Sequence, residues 1–376
     1  MFASRGGAKQ QLSLGGKIDR RCNALESTMK PVRIAVIGTG LIGTEHLRFI
    51  EDLRSTELVG IADVSAAGAA HAERLQVPYF NDFQTMLEAI RPEAAIVALP
   101  NALHIPAALN CVRLGIATLV EKPIADTLQA AMQLVDASEA AGVPVLVGHQ
   151  RRHSPDIRQA KNALQQGKLG ELIAVSGIWL VRKHDHYFDA TWRRELGGGP
   201  FLINLIHDID CFRFMCGEIE SVQAISSNRI RGFPVEDTAA ILIKFRNGAL
   251  GTMIMSDAVP SPWAWDMASA QAPYLPFTHA DCYYIGGSRA SLSVPTMELW
   301  WHKDGGDWRD PLTHARIPAE HSNCYINQLQ HLVDMVRNGA KAICDARDGM
   351  MSLAATLAVR TAAQEQRSVS ISELLA

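Results

Sequence analysis

Three glycines and one aspartate carry the clearest chemistry in this chain. The run Gly38-Thr39-Gly40-Leu41-Ile42-Gly43 has the spacing G-x-G-x-x-G, and Asp63 stands twenty residues beyond Gly43. In that spacing one glycine permits a tight turn, one lets a pyrophosphate approach the backbone, and one lets helix and strand pack closely. The helix that follows offers free N–H groups and a positive dipole end to phosphates, while the acid bonds an adenosine ribose. With a carboxylate at the ribose, a 2′-phosphate is repelled by about 4 kcal/mol per pair of unit charges at ~4 Å and an effective dielectric near 20. Val64-Ser65-Ala66 brings no arginine to offset this. The expected cofactor is therefore NAD, with NADP disfavoured.

Such a turn works only between a strand and a helix, and the flanking residues supply both. Residues 32–37 are an apolar, β-branched run of strand length, residues 44–50 continue as a helix, and residues 58–62 form the strand that ends at Asp63. Helical segments over 66–75, 82–90, 104–114 and 126–141 then alternate with strands over 77–80, 94–99, 118–120 and 144–148. That alternation predicts an α/β, Rossmann-type domain over residues 31–150, with a parallel sheet covered on both faces. Ligands bind such sheets at the strands' carboxyl ends, so Gly38, Asp63, Pro100, Lys122 and His149 should border one crevice. Asn101, His104 and Glu121 sit at the same strand ends and join Leu41, Ile42 and Lys122 as expected cofactor contacts.

The chain as a whole permits this reading and excludes others. At 376 residues it is long for one domain. Its 36 basic and 39 acidic residues nearly cancel, so neither nucleic acid nor an anionic membrane is an expected partner. No run approaches the eighteen or so apolar residues of a membrane span. The seven cysteines are scattered and odd in number, without a C-x-x-C pair, which suits a reducing, cytoplasmic setting and neither a disulfide framework nor a zinc site. Residues 1–30 read as a disordered extension, and Met29 is an alternative start to Met1.

After residue 150 the pattern changes. A helix over 155–166 gives way to strand-like runs over 172–181, 219–227, 239–245, 250–256, 282–285 and 297–301, with Asn247-Gly248 as a hairpin signal. An α+β domain with an open-faced, mostly antiparallel sheet is expected over 151–345. Helices follow over 325–337 and 349–363, and residues 346–376 are expected to pack back on the first domain.

The glycine fingerprint, Asp63, Glu121-Lys122-Pro123, Trp192-Arg193, Gly197-Gly198-Gly199 and His207, in this order and at these separations, resemble the Gfo/Idh/MocA oxidoreductases. The resemblance spans residue 32 to the carboxyl terminus. It implies hydride transfer between nicotinamide and an alcohol carbon, usually of a sugar, cyclitol or related polyol, and homodimers or homotetramers formed through the open sheet. It also implies that Lys122 and His207 are catalytic and that Trp192-Arg193 reaches the nicotinamide end of the cofactor.

Reference pKa values divide the two catalytic roles. Deprotonating a lysine at pH 7 costs about 4.6 kcal/mol, whereas a histidine costs almost nothing. His207 is thus the expected base, and Lys122 the cation that orients the hydroxyl and stabilises developing alkoxide. Many relatives place an aspartate four residues before this histidine; here Ile203 occupies that position. Asn204, one residue on, faces nearly the same way and is the expected positioning residue, although it cannot accept a proton.

Two features leave alternatives open. The cationic stretch Arg182-Lys183-His184-Asp185-His186-Tyr187 suggests a substrate carboxylate, and with it a cyclic cis-diol acid or other hydroxy acid in place of a neutral polyol. His184 and His186 alone do not make a metal site. The proline- and tryptophan-rich loop over 258–278 is either a substrate lid or an oligomer contact. A nucleotide-binding regulator without turnover is the rival of a different class.

Overall fold

The computed structural model describes residues 30–271 and 275–376. The extension expected over 1–30, with the choice between Met1 and Met29, falls outside them except for Lys30. Six strands form a parallel sheet: β1 (Val32–Ile37), β2 (Thr56–Ala62), β3 (Tyr79–Phe80), β4 (Ala94–Val97), β5 (Ala117–Glu121) and β6 (Val145–Gly148). Their order is β3-β2-β1-β4-β5-β6. Strand order reverses between β1 and β4, which opens a crevice at their carboxyl ends. Val32, Ile34, Ala35, Val36 and Ile37 of β1 are all sealed from solvent, because helices cover both faces of the sheet.

Those helices begin and end on recognisable signals. In α2 (Ala66–Leu75) Ser65 caps Gly68, in α3 (Phe83–Ile90) Asp82 caps Thr85, and in α5 (Leu128–Ala141) Thr127 caps Ala130 before the chain turns left-handed at Gly142. The first helix, α1 (Leu41–Asp52), is different: Gly40 precedes it without a side-chain cap, and its first turn holds no acid. Its N-terminal N–H groups are thus left for a ligand. The fourth helix is α4 (His104–Arg113).

The second sheet comprises β7 (Leu172–Leu180), β8 (Ile219–Ser227), β9 (Thr238–Phe245), β10 (Leu250–Ser256), β11 (Tyr283–Gly287), β12 (Ser291–Val294), β13 (Glu298–His302), β14 (Leu312–Arg316) and β15 (Val369–Ser370). The order is β14-β13-β12-β11-β7-β10-β9-β8-β15. Every neighbouring pair is antiparallel except β7 with β10. Helices α6 (Pro155–Gln165), α7 (Ile206–Cys216) and α10 (Ala346–Glu365) cover one face. On the other face, alternate positions expose Ile225, Leu242, Leu250 and Ile254. No helix among the described residues is long and apolar enough to cross a membrane.

Two segments pack differently from expectation. Helix α9 (Cys324–Asn338), expected in the second domain, lays Leu329, Leu332, Val333 and Met335 against Val32, Ile34 and Val36 of β1. Its amphipathic stripe needed an apolar partner, and the first sheet provides it. Helix α10 does not simply return to the first domain. Met350, Leu353 and Leu357 enter the first domain's core, while Ala354, Ala355, Ala358 and Val359 enter the second's. Apolar residues lie all around this helix, so it is buried between both layers. After it, β15 pairs with β8, and α11 (Ile371–Leu375) closes the chain.

Candidate active site

The three fingerprint glycines do separate work. Gly38 has φ of 91°, and a Cβ there would lie 2.5 Å from the Ala98 carbonyl oxygen; at Gly43 it would lie 2.1 Å from that of Gly38. Both glycines are demanded by the protein's own backbone. At Gly40 a Cβ would meet nothing within 4 Å. That open space lies at the uncapped start of α1, so this chain's residues form a cradle that fits a pyrophosphate. Gly40→Ala is accordingly expected to fold with an unchanged melting temperature, yet to weaken NADH binding about tenfold or more, as read by NADH fluorescence titration.

Asp63 closes the other end of the cradle. Its Oδ2 accepts from the Thr39 N–H at 2.6 Å and the Thr39 hydroxyl at 2.7 Å, and its Oδ1 accepts from the Ser65 N–H at 2.7 Å. Burial opposes ionisation here, but the bonds from Ser65 and Thr39 outweigh it and hold the carboxyl below its usual range. Asp63 is half-buried, and Val64 beside it is exposed.

Lys122 follows the last residue of β5, across a cis bond to Pro123. Its Nζ donates to the Ile203 carbonyl at 3.0 Å, which joins the first domain to the segment leading into α7. Residues Phe201–Leu205 form a π-helical turn, in which the Ile206 N–H reaches the Phe201 carbonyl five residues back. The wider turn places the Ile203 carbonyl where the ammonium can reach it, a local irregularity of the kind found at functional sites. Ile203 and Asn204 are half-buried on that turn, and His207 opens the regular helix beyond it.

Burial pushes the Lys122 ammonium down to about 8. Its deprotonation at pH 7 then costs about 1.4 kcal/mol rather than the free-lysine figure, so the energetic gap between lysine and histidine is narrower than the sequence implied. Burial, then the charges of Lys122 and Arg151, also hold His207 well below the usual imidazole range. Its Nδ1 has no hydrogen-bond partner among the described residues. His207 is thus a neutral imidazole whose Nδ1 is unspent.

Two residues expected at the cofactor turn inward instead. His104 is 1% exposed, and its ring nitrogens lie 2.8 Å from the Pro123 carbonyl and 2.7 Å from that of Leu99. It thereby ties the turn after β4 to the one holding Lys122. Glu121 is buried, with Oε1 2.8 Å from His46 Nε2 on α1. Burial raises its pKa, but the His46 bond more than offsets this, and the carboxyl stays below its usual range. Both side chains brace the crevice from behind. Position at a strand's end does not fix which way a side chain points. Pro100 and Asn101 stay at the surface of that turn.

Trp192 is exposed, and Arg193 donates to the Tyr187 carbonyl at 2.6 Å with its guanidinium 4.0 Å over the Tyr187 ring. In the cationic stretch only Lys183 turns inward, its Nζ 4.6 Å over the same ring; His184 and His186 face outward. Of the long loop's tryptophans, Trp265 is buried against Tyr283, whereas Trp263 is exposed.

Behind His207 lies a buried charge network that the sequence reading did not single out. Arg151 donates to Asp208 at 2.8 Å and to the Tyr283 hydroxyl at 3.1 Å, and that hydroxyl donates to Asp208 at 2.5 Å. Arg152 donates to Asp210 at 2.9 and 2.7 Å, pairs with Asp348, and donates to the Ile343 carbonyl at 2.8 Å. The two arginines, in the connector after β6, thus hold α7 just beyond His207. His149 fills the gap, its ring edge-on to that of His207 at 6.3 Å and its Nδ1 3.6 Å from Asp210. Two aspartates among the buried residues of α7 were the signal, since a buried carboxylate requires a cation.

A cradle that fits a pyrophosphate, at the carboxyl ends of a parallel sheet whose strand order reverses there, places the chain among nucleotide-binding proteins. Residues 32–149 match the oxidoreductase family with an NAD-binding Rossmann fold, and residues 157–293 match the GFO/IDH/MocA C-terminal domain. The chain belongs to the Gfo/Idh/MocA family of oxidoreductases. It is 27% identical to the D-apiose dehydrogenase of Paraburkholderia graminis, over 94% of this chain and 93% of that one. It is 26% identical to the inositol 2-dehydrogenase of Rhizobium meliloti, over 90% and 99%. An oxidoreductase from Agrobacterium radiobacter, solved with NAD+, L-tartaric acid and magnesium, superposes with a TM-score of 0.77 at 18% identity, covering 92% of this chain and all of that one.

Proposed function

We propose that this protein is an NAD-dependent dehydrogenase of a secondary alcohol on a neutral sugar, cyclitol or related polyol. The observation that supports the reading is the bond from Lys122 to the Ile203 carbonyl, which ties the cation to the turn leading into the helix that carries His207. His207 takes the hydroxyl proton, Lys122 orients that hydroxyl and stabilises its developing negative charge, and Asn204 offers a further hydrogen bond. NAD, held by the glycine cradle, would supply a two-electron acceptor whose reduction removes one positive charge. The proton arriving on His207 therefore leaves the pocket's net charge unchanged, although a second cation beside Lys122 would otherwise be costly.

Charge balance favours a neutral substrate over a hydroxy acid. Arg151 is paired with Asp208, Arg231 with Asp257, and Lys183 lies within reach of the Asp266 and Asp257 charges. Little unpaired positive charge remains for a substrate carboxylate. The names of the inositol and apiose relatives point the same way. NADH formation across a panel of polyols, sugars and hydroxy acids tests this: turnover of neutral polyols supports it, and turnover confined to acids overturns it.

The preference for NAD rests on Asp63, whose carboxylate stays ionised at working pH. Asp63→Ser is expected to raise the NADP/NAD ratio of kcat/KM about tenfold or more, in steady-state assays with both cofactors. Pairing of subunits through the exposed apolar face of the second sheet completes the proposal, since monomers rarely leave such a face open. A monomer in analytical ultracentrifugation would contradict it.

A further inference from the structure

The loop between β10 and β11 delivers one carboxylate to the catalytic end of the molecule. Asp266 sits in the short helix α8 (Trp265–Ala268), and this helix is firmly seated. Ala264, Trp265 and Ala268 are buried, Trp265 stacks on Tyr283 at 5.9 Å, and the Leu180 N–H donates to the Trp263 carbonyl at 3.0 Å. Asp266 Oδ2 accepts from the Trp179 indole at 3.0 Å, and both oxygens lie 3.5 Å from Arg151 Nη2. A carboxylate has about four acceptor positions, and one good bond plus two long ones leave capacity unused.

The side chain is also open on one side. It is 33% exposed, while the Arg151 side chain against it is only 2% exposed, so the free edge points away from that guanidinium. Its charge is felt by Lys122 and by Lys183. Against the opposing effect of burial, Arg151, the Trp179 indole and Lys183 keep this carboxyl ionised. The site therefore holds a fixed anion with spare acceptor capacity, on Arg151, which also holds Asp208, the residue that follows His207. On the turn before α7, Ile203 offers no carboxylate at all.

We propose that Asp266 binds a hydroxyl of the substrate next to the reacting carbinol, supplying from this loop the carboxylate that Ile203 does not. The assignment rests on the dehydrogenase reading above. It gives the loop a substrate-recognising role and selects for vicinal diols, because one hydroxyl meets Lys122 and His207 while its neighbour donates to Asp266.

Asp266→Asn keeps the shape and the acceptor for Trp179 but removes the charge. With the best substrate from a panel of myo-inositol, D-apiose and common aldoses, kcat/KM is expected to fall about 10- to 100-fold. NADH affinity and melting temperature should stay near wild-type values. An analogue lacking the neighbouring hydroxyl should lose rate with the wild-type enzyme and lose nothing further with Asp266→Asn, a coupling that a purely structural aspartate would not produce. Equal losses in both enzymes, or a variant within about threefold of wild type on every substrate, would overturn the assignment while leaving the dehydrogenase reading intact. Tight NADH binding without wild-type turnover on the panel would instead overturn the dehydrogenase reading, and this assignment with it. Should the variant not fold, a crystal of the wild-type ternary complex decides: a substrate hydroxyl within about 3.2 Å of Asp266 supports the role, and hydroxyls bound only elsewhere refute it.

Discussion

Replacing His207 by alanine is expected to lower kcat about 10²- to 10⁴-fold, the usual contribution of a positioned general base. NADH affinity should be nearly unchanged, because His207 lies on α7 and away from the glycine cradle. Two features make the loss large. His207 is held in place by the paired aspartates that follow it, Asp208 on Arg151 and Asp210 on Arg152. Its Nδ1 has no partner among the described residues, so none of them competes for that nitrogen. Asp208→Asn would disturb this support without touching the ring and should cost less. Stopped-flow measurement of NADH formation separates the two, since loss of the base slows the chemical step itself.

Lys122 gives the second large effect, and its sign with pH is fixed by the role assigned. The group must be protonated to stabilise developing alkoxide, and its pKa lies at about 8. Oxidation should therefore decline as pH rises through about 8. His207 must be unprotonated, and its pKa is lowered well below 6.5. Activity should consequently persist as pH falls through the ordinary histidine range. The expected profile of kcat/KM is a plateau through neutrality with a falling alkaline limb. Lys122→Met should lose about 10²- to 10³-fold, as for removal of an electrostatic donor to a forming oxyanion. Lys122→Arg should move the alkaline limb upward, because a guanidinium does not titrate there. An alkaline limb unmoved by Lys122→Arg would show that another group titrates, and would remove Lys122 from the assigned role.

The first sheet was legible because its strands are short, mostly apolar and alternate with helices, three of which start on a side-chain cap. Asp82 and Gly142 announce their helices' ends in the sequence, and the structure uses both, while the helix expected from 126 starts instead on a Thr127 cap. The second sheet was legible in six of its nine strands. β12 and β14, Ser-Leu-Ser-Val and Leu-Thr-His-Ala-Arg, are short and polar, and β15 has two residues. Short strands of this kind take their conformation from the neighbours they pair with, so their own composition says little.

The site divides along the same line. The fingerprint glycines and Asp63 were readable because backbone clearance and spacing are local properties. His104 and Glu121 were misassigned because they share strand ends with Lys122 yet point into the protein, where His46 and two carbonyls satisfy them. The π-helical turn at Phe201–Leu205 has no composition signal, and without it the contact of Ile203 with Lys122 could not be foreseen. Asp266 lay hidden in a proline-rich loop whose path depends on Trp265 finding Tyr283. The arginines of the connector and the aspartates of α7 are far apart in sequence, and only burial makes each other's charge necessary.

A crystal structure of the NAD complex tests the central claim most directly. The nicotinamide ring should lie at the end of β5, with room for one carbinol carbon about 3 to 3.5 Å from its C4 and for the attached hydroxyl to reach both Lys122 Nζ and His207. A ring bound away from that pair, or a His207 side chain turned from Lys122 when NAD is in place, would contradict it.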